Sequence, residues 1–220
     1  MARTEASFIE LIVLSTTKVG ENALVVHTLS REWGRRGFLV RSGAKAGMSR
    51  FLPLNILEAQ VVENPKSELW SLRNIGPKEA LSGIRNNIHK NTMTLFLSEV
   101  LLRTLKDGTN EEGLFDWCVG SILTLDALES DFANFHIRFL LEFAGALGFR
   151  PTLQDIAPFA GEHLPRLKPF LEKSFEESLL LPLTGENRNA LCEVLLQYLS
   201  YHTDTNIQVK SLQVLRELYR

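Results

Sequence analysis

Residues 23–43 read ALVVHTLSREWGRRGFLVRSG. Two β-rich apolar runs, ALVVHTLS and GFLVRSG, flank a short polar connection. In the second run Phe38 and Val40 fall on one face and Leu39 and Arg41 on the other, the period of two expected of a strand. The glycines Gly34 and Gly37 predict the reversal between the runs, so the stretch reads as strand, turn, strand.

The same pattern continues outward. SFIELIVLSTT precedes the hairpin and stops before the turn signal VGEN at residues 19–22. NILEAQVVE sets Leu57, Ala59 and Val61 against Glu58 and Gln60. After the turn NPKSE, LWSLRNI sets Trp70 and Leu72 against Ser71 and Arg73. Five short strands with turns between them predict a small barrel of the OB-fold type, over residues 1–78. The period then changes. Pro77 is placed to open a helix, where its missing N–H costs nothing. Apolar residues at three-to-four spacing predict helices from there to the C-terminus, including ANFHIRFLLEFAGALGF with Phe135, Phe139 and Phe143 on one face. A cap is expected at Thr184. The expected class is therefore α+β in two domains, the barrel followed by an all-α bundle over residues 79–220.

Composition bounds the function. The 220 residues are 45% hydrophobic and 23% charged, ordinary values for a globular protein. No apolar run approaches the roughly 20 residues that span a bilayer. The N-terminus reads as a first strand, not a signal peptide. Cys118 and Cys192 sit far apart in apolar helical patterns, as reduced core thiols would. A cytoplasmic location, without membrane contact, is expected.

Charge divides unevenly. The net charge is −2, yet the chain through Ala80 holds 11 basic and 8 acidic residues, a net +3, and the remainder 13 and 18, a net −5. Six cations, Arg31, Arg35, Arg36, Arg41, Lys45 and Arg50, fall within one stretch that holds a single acid, Glu32. Lys18 and Lys66 lie in the connections between strands 1 and 2 and between strands 4 and 5. In this barrel type those connections, with the face of strands 2 and 3, hold oligonucleotides. A basic groove with stacking rings suits a single strand, and Trp33 is the candidate ring, although an aromatic at a strand end more often packs in a core. SGAKAGMS has its glycines too close for a nucleotide-triphosphate loop, and no Lys-Ser or Lys-Thr follows. The five histidines are scattered without metal-ligand spacing, and no nucleophile elbow or dinucleotide fingerprint occurs. No catalytic residue, metal or cofactor is expected.

These residues carry a resemblance to the bacterial recombination-repair family RecO. IVLSTTKVGENALVVHTLS is similar to the family's first strand, Gly-Glu turn (Gly20, Glu21) and second strand. GRRGFLVRSGAKAGMSRFLPLNILEAQV resembles its glycine turn and Gly-Lys-Ser segment (Gly43, Lys45, Ser49), with the following strand entry at Leu52, Pro53 and Leu54. LSEVLLRTL, the run ending in Gly148, Pro151 and Leu153, and VKSLQVL (Lys210, Ser211, Leu212) resemble its helical half. Many members carry two Cys-x-x-Cys pairs after the Gly-x-x-Pro helix end. RPTLQDIAPFAGEHLPRLKP has no cysteine, so a four-thiolate zinc site is excluded there.

The resemblance implies a non-catalytic mediator that binds single- and double-stranded DNA and anneals complementary strands. It also implies joint action with RecR in loading the recombinase on strands coated by single-strand binding protein (SSB), whose acidic, apolar C-terminal tail docks on the helical part. Arg103, Arg138 and Lys210 are the cations on helical segments chosen as candidates for that tail. The alternative is an interaction adaptor whose basic barrel binds an acidic protein.

Overall fold

The computed structural model describes residues 8–41 and 47–218; Lys45, expected at the nucleic-acid surface, and Gly43 of the family-like segment lie outside them. Five strands, β1 (Phe8–Lys18), β2 (Ala23–Ser30), β3 (Gly34–Arg41), β4 (Ile56–Val62) and β5 (Trp70–Pro77), close into a barrel in the order β1-β2-β3-β5-β4. All neighbouring pairs are antiparallel except β3 and β5, where Phe38 pairs Trp70 and Leu39 pairs Ser71 in parallel. This is the OB-fold barrel that the strand pattern predicts. Alternate residues fill its interior: Ile9, Leu11 and Val13 of β1, Leu24 and Val26 of β2, Phe38 and Val40 of β3, and Leu57, Ala59 and Val61 of β4. Phe38 is wholly buried, and truncating a phenylalanine so placed costs about 3–5 kcal/mol.

Two local expectations are corrected. The reversal after β2 is not made at Gly34–Gly37. Ser30 pairs directly with Gly34, leaving Arg31, Glu32 and Trp33 as a three-residue loop, and Gly37 pairs His27 inside the ladder. The left-handed residue closing such a loop is Gly34, at φ +57°. Arg35 and Arg36 therefore stand on a strand. Pro77, in turn, ends β5 instead of opening a helix. β3 pairs β5 only near Trp70 and Ser71, so the missing N–H of Pro77 deprives no ladder on that side. The Lys78 amide then donates to the Ile56 carbonyl at 2.9 Å.

The remaining chain is helical: α1 (Ser82–Arg85), α2 (Ile88–Thr104), α3 (Leu114–Ala127), α4 (Phe135–Ala146), α5 (Leu153–Ala160), α6 (Leu164–Glu172), α7 (Phe175–Leu179), α8 (Gly185–Thr203) and α9 (Ser211–Leu218). None is long and apolar enough to cross a membrane. Thr184 caps α8, its hydroxyl accepting the Asn187 amide at 3.2 Å. Phe135, Phe139 and Phe143 line up along α4 with ring centroids 6.4 and 6.0 Å apart. Cys118 and Cys192 are buried free thiols. His136 is buried edge-on to Phe96, and burial, with the Arg188 charge adding to it, pushes its pKa down to about 3.

The segment that would carry two Cys-x-x-Cys pairs is held by rings instead. Phe149 stacks on His202 at 5.3 Å, and Phe159 meets Tyr198 and Tyr201 edge-on at 5.4 and 5.5 Å. Thr152 and Asp155 form a capping box at the start of α5.

The chain divides into two compact units. One holds the barrel, through Leu81, together with Leu105–Val119; the other holds Ser82–Thr104 and Gly120 onward. The inclusion of Leu105–Val119 has a backbone cause. The Arg35 amide donates to the Thr109 carbonyl at 3.1 Å, and the Gly108 amide to the Arg35 carbonyl at 2.8 Å. These bonds occupy the start of β3, which β5 does not reach. A Cβ on Gly34 would stand 1.8 Å from the Thr109 carbonyl oxygen, so only glycine admits the segment.

Candidate nucleic-acid interface

The parallel β3–β5 pair brings together the cations that local sequence separates. Continued two residues past Leu39 and Ser71, that register sets Arg41 level with Arg73. Both line a groove of about 550 Å3 on the barrel, together with Arg50, Phe51 and Asn74. Between β4 and β5 the register shifts, so that Asn74 and Ile75 together oppose Ala59. Asn74 takes φ 51° there, a conformation that asparagine tolerates better than most residues, and bulges of this kind re-aim neighbouring side chains. Its side-chain amide donates to Gln60 Oε1 at 2.9 Å. Arg50 donates to the Ile75 carbonyl at 3.1 Å, which steadies its guanidinium at the groove. Among the described residues, no carboxylate lines the groove and none pairs with Arg41, Arg50 or Arg73.

The other cations of the basic stretch meet different fates. Arg31 pairs with Asp116 and also lies over the Phe115 ring at 5.0 Å. Arg35 pairs with Asp107. Both carboxylates come from the segment Leu105–Val119 and are largely exposed, 62% for Asp116 and 78% for Asp107. The Arg31–Asp116 pair, open on both sides, is weakened by salt and competes poorly with a polyanion, whereas the Arg35 side chain is only 15% exposed. Arg36 stacks its guanidinium 3.8 Å over the Trp70 ring and donates to the Glu68 carbonyl at 3.0 Å. Lys18 at the end of β1 and Lys66 in the β4–β5 connection are exposed, without a carboxylate partner among the described residues.

Trp33 is half-buried and packs against the barrel core, edge-on to Phe38 at 6.2 Å and to Trp70 at 5.6 Å. It also lines a second groove, of about 760 Å3, with Val25, His27, Arg36, Gly37 and Leu69. Burial and the Arg35 charge hold the His27 pKa below its ordinary value against the opposing pull of Asp107, so this imidazole is neutral at pH 7.

In the helical unit the three docking candidates are not equivalent. Arg138 bonds Glu142 at 2.8 Å and the Phe170 carbonyl at 2.8 Å, and so ties α4 to α6. Arg103 sits 3.9 Å from Glu99. Glu99 also accepts the Lys210 and Ser211 amides at 3.2 and 2.9 Å, capping α9; the Lys210 side chain remains exposed.

Arg73 was not among the residues that local charge density singles out. It lies far along the chain from Arg50, in a strand of ordinary composition, and only the strand order makes it a neighbour of Arg41.

Comparison with known proteins agrees with this architecture. The family model described as Recombination protein O N terminal matches residues 8–80, and that described as Recombination protein O C terminal matches residues 85–157. The DNA repair protein RecO of Flavobacterium johnsoniae is 30% identical over 231 residues, covering 94% of this chain and 97% of the relative. Those of Flavobacterium psychrophilum and Bacteroides fragilis are 28% and 29% identical with the same coverage. With both halves matched and the five-stranded barrel closed, the chain belongs to the RecO family.

Proposed function

We propose that this protein is a non-catalytic DNA-repair mediator that holds DNA by its phosphates along the β3–β5 side of the barrel. The observation that carries this reading is the groove of Arg41, Arg50 and Arg73 without a carboxylate in its described lining. Arginine forks match phosphate oxygens and remain charged at any physiological pH. Each phosphate neutralised releases counterions, so binding is blind to sequence and falls with salt. Contacts of that kind suit strand annealing. Two polyanions must be brought together with their repulsion screened while their bases stay free to pair.

In the fuller reading the protein anneals complementary strands and works with RecR to load the recombinase on SSB-coated DNA. Within the helical unit Arg103 and Lys210, beside Glu99, are better placed for an acidic SSB tail than Arg138, whose guanidinium is already committed to internal partners.

The test is annealing of two complementary fluorescent oligonucleotides by wild type and by an Arg41→Glu/Arg73→Glu variant, with binding followed by anisotropy. Loss of annealing together with at least tenfold weaker binding is the expected result. Unchanged annealing would remove the proposal. A second reading is favoured by one observation: Arg31 and Arg35 already hold carboxylates, so the barrel suits an acidic protein. Pull-down with and without nuclease separates the two, because an adaptor keeps its partners and retains no DNA.

A further inference from the structure

We propose that the groove walled by Trp33 and Arg36 is a slot for one unpaired nucleobase of a bound single strand. This rests on the DNA-binding reading above and adds to it a site distinct from the phosphate groove. The lining suits a base better than a phosphate. Glu32, Glu68 and Asp107 line it beside Arg35 and Arg36, so its charge is balanced, unlike that of the phosphate groove, and the Asp107 carboxylate already holds Arg35. The carboxylates of Glu32 and Glu68 accept hydrogen bonds from exocyclic amines, as acidic side chains do from cytosine N4.

The walls are planar or apolar. One face of the Arg36 guanidinium lies 3.8 Å over Trp70. A guanidinium stacked in that way has a second face for another ring, and single-stranded bases are commonly held on such planes. Trp33 and Leu69 supply apolar contact. The Nε atoms of Arg35 and Arg36 are buried donors without a partner among the described residues, and a base carbonyl is an acceptor of the kind they lack. Gly37 adds no side chain to the slot: a Cβ there would already stand 3.3 Å from Val25 Cγ1, 3.6 Å from His27 Nδ1 and 3.8 Å from Leu69 Cδ1. The volume of about 760 Å3 falls within the range of small-ligand sites, roughly 300–1,000 Å3.

Position along the strands links the slot to the phosphate groove. Arg36 and Gly37 lie on β3 ahead of Val40 and Arg41, and Leu69 precedes Ser71 and Arg73 on β5. At about 3.3 Å per residue, Arg36 to Arg41 spans about 16 Å, the length of a few nucleotides. A strand laid along this pair inserts a base at one end while its following phosphates meet arginines at the other.

The experiment compares, with the full chain, a 12-nucleotide oligodeoxycytidine and the same backbone bearing only abasic residues, at several salt concentrations. Wild type is expected to bind the base-bearing strand about tenfold more tightly, the range of one stacked base. That ratio should fall toward one in Gly37→Val, which fills the slot without changing charge. It should fall likewise in Arg36→Lys, which keeps the charge and loses the plane; thermal melts confirm that each variant folds. Equal, salt-dependent binding of both strands by wild type would overturn the slot and leave the DNA reading standing, as for a groove that takes a protein side chain. Binding of neither strand would overturn both. A ratio that persists in either folded variant would overturn the slot.

Discussion

Arg31 and Arg35 each hold a carboxylate of the same chain, and neither Asp116 nor Asp107 is buried. They stand where phosphate oxygens would stand if the basic stretch met DNA over its full length. Replacing both acids, in Asp107→Asn/Asp116→Asn, frees two guanidiniums without removing hydrogen-bonding atoms. Oligonucleotide affinity at about 0.1 M salt is expected to rise several-fold, with a log-log salt slope steeper by up to about two. Unchanged affinity would show that these cations serve the fold alone. At Gly34, positive φ and the approach of Thr109 act together. Gly34→Ala is expected to cost about 2 kcal/mol or more, since the clash is with backbone that cannot rotate away. Chemical denaturation reads this directly, and a loss below about 0.5 kcal/mol would contradict the placement of the segment.

Single elements show which features a sequence displays and which it hides. The five strands are visible because alternation is local: Leu57, Ala59 and Val61 announce a buried face wherever β4 ends up. The pairing of residues 108–109 with Arg35 is invisible for the same reason, since backbone hydrogen bonds leave no mark on side-chain periodicity. Arg41 and Arg50 show themselves as local charge. Arg73 joins them only through a parallel pairing between distant strands, and strand order is the signal that would have found it.

The helical elements carry their own pH dependence. Burial alone would raise the Glu99 carboxyl, but bonds from the Ser211 hydroxyl and from the Ser211 and Lys210 amides, with the Arg103 charge, hold it below its ordinary value. Its support of α9 is thus fully present above the unfolded glutamate pKa, near 4.3, and is lost as pH falls through the lowered value. His136 acts in the same direction over a wider window. Its folded pKa of about 3 lies below the ordinary 6.5, so the unfolded chain binds the extra proton, and stability declines as pH drops from 6.5 toward 3. Melting temperature should fall between pH 7 and 5 in wild type and fall less in His136→Phe; an equal fall in both would contradict this account. Hydrogen exchange should show α9 losing protection in Glu99→Gln at pH 7.

At the scale of the whole molecule, charge is partitioned along the chain. The chain through Ala80 is net positive and the rest net negative, but the acidic segment Leu105–Val119 joins the barrel unit and offsets its charge. Attraction of a polyanion would therefore rest on local groups such as Arg41, Arg50 and Arg73 and not on net charge. The central claim is that three arginines on the β3–β5 side hold phosphates, and counterion release measures this most directly. Binding of a short single-stranded oligonucleotide, titrated from about 0.05 to 0.3 M salt, should give a log-log slope near −2. That is the value for about three phosphates neutralised on a single strand, and it should fall to near zero in an Arg41→Gln/Arg50→Gln/Arg73→Gln variant. A slope unchanged by the triple substitution, or no slope in wild type, would contradict the account.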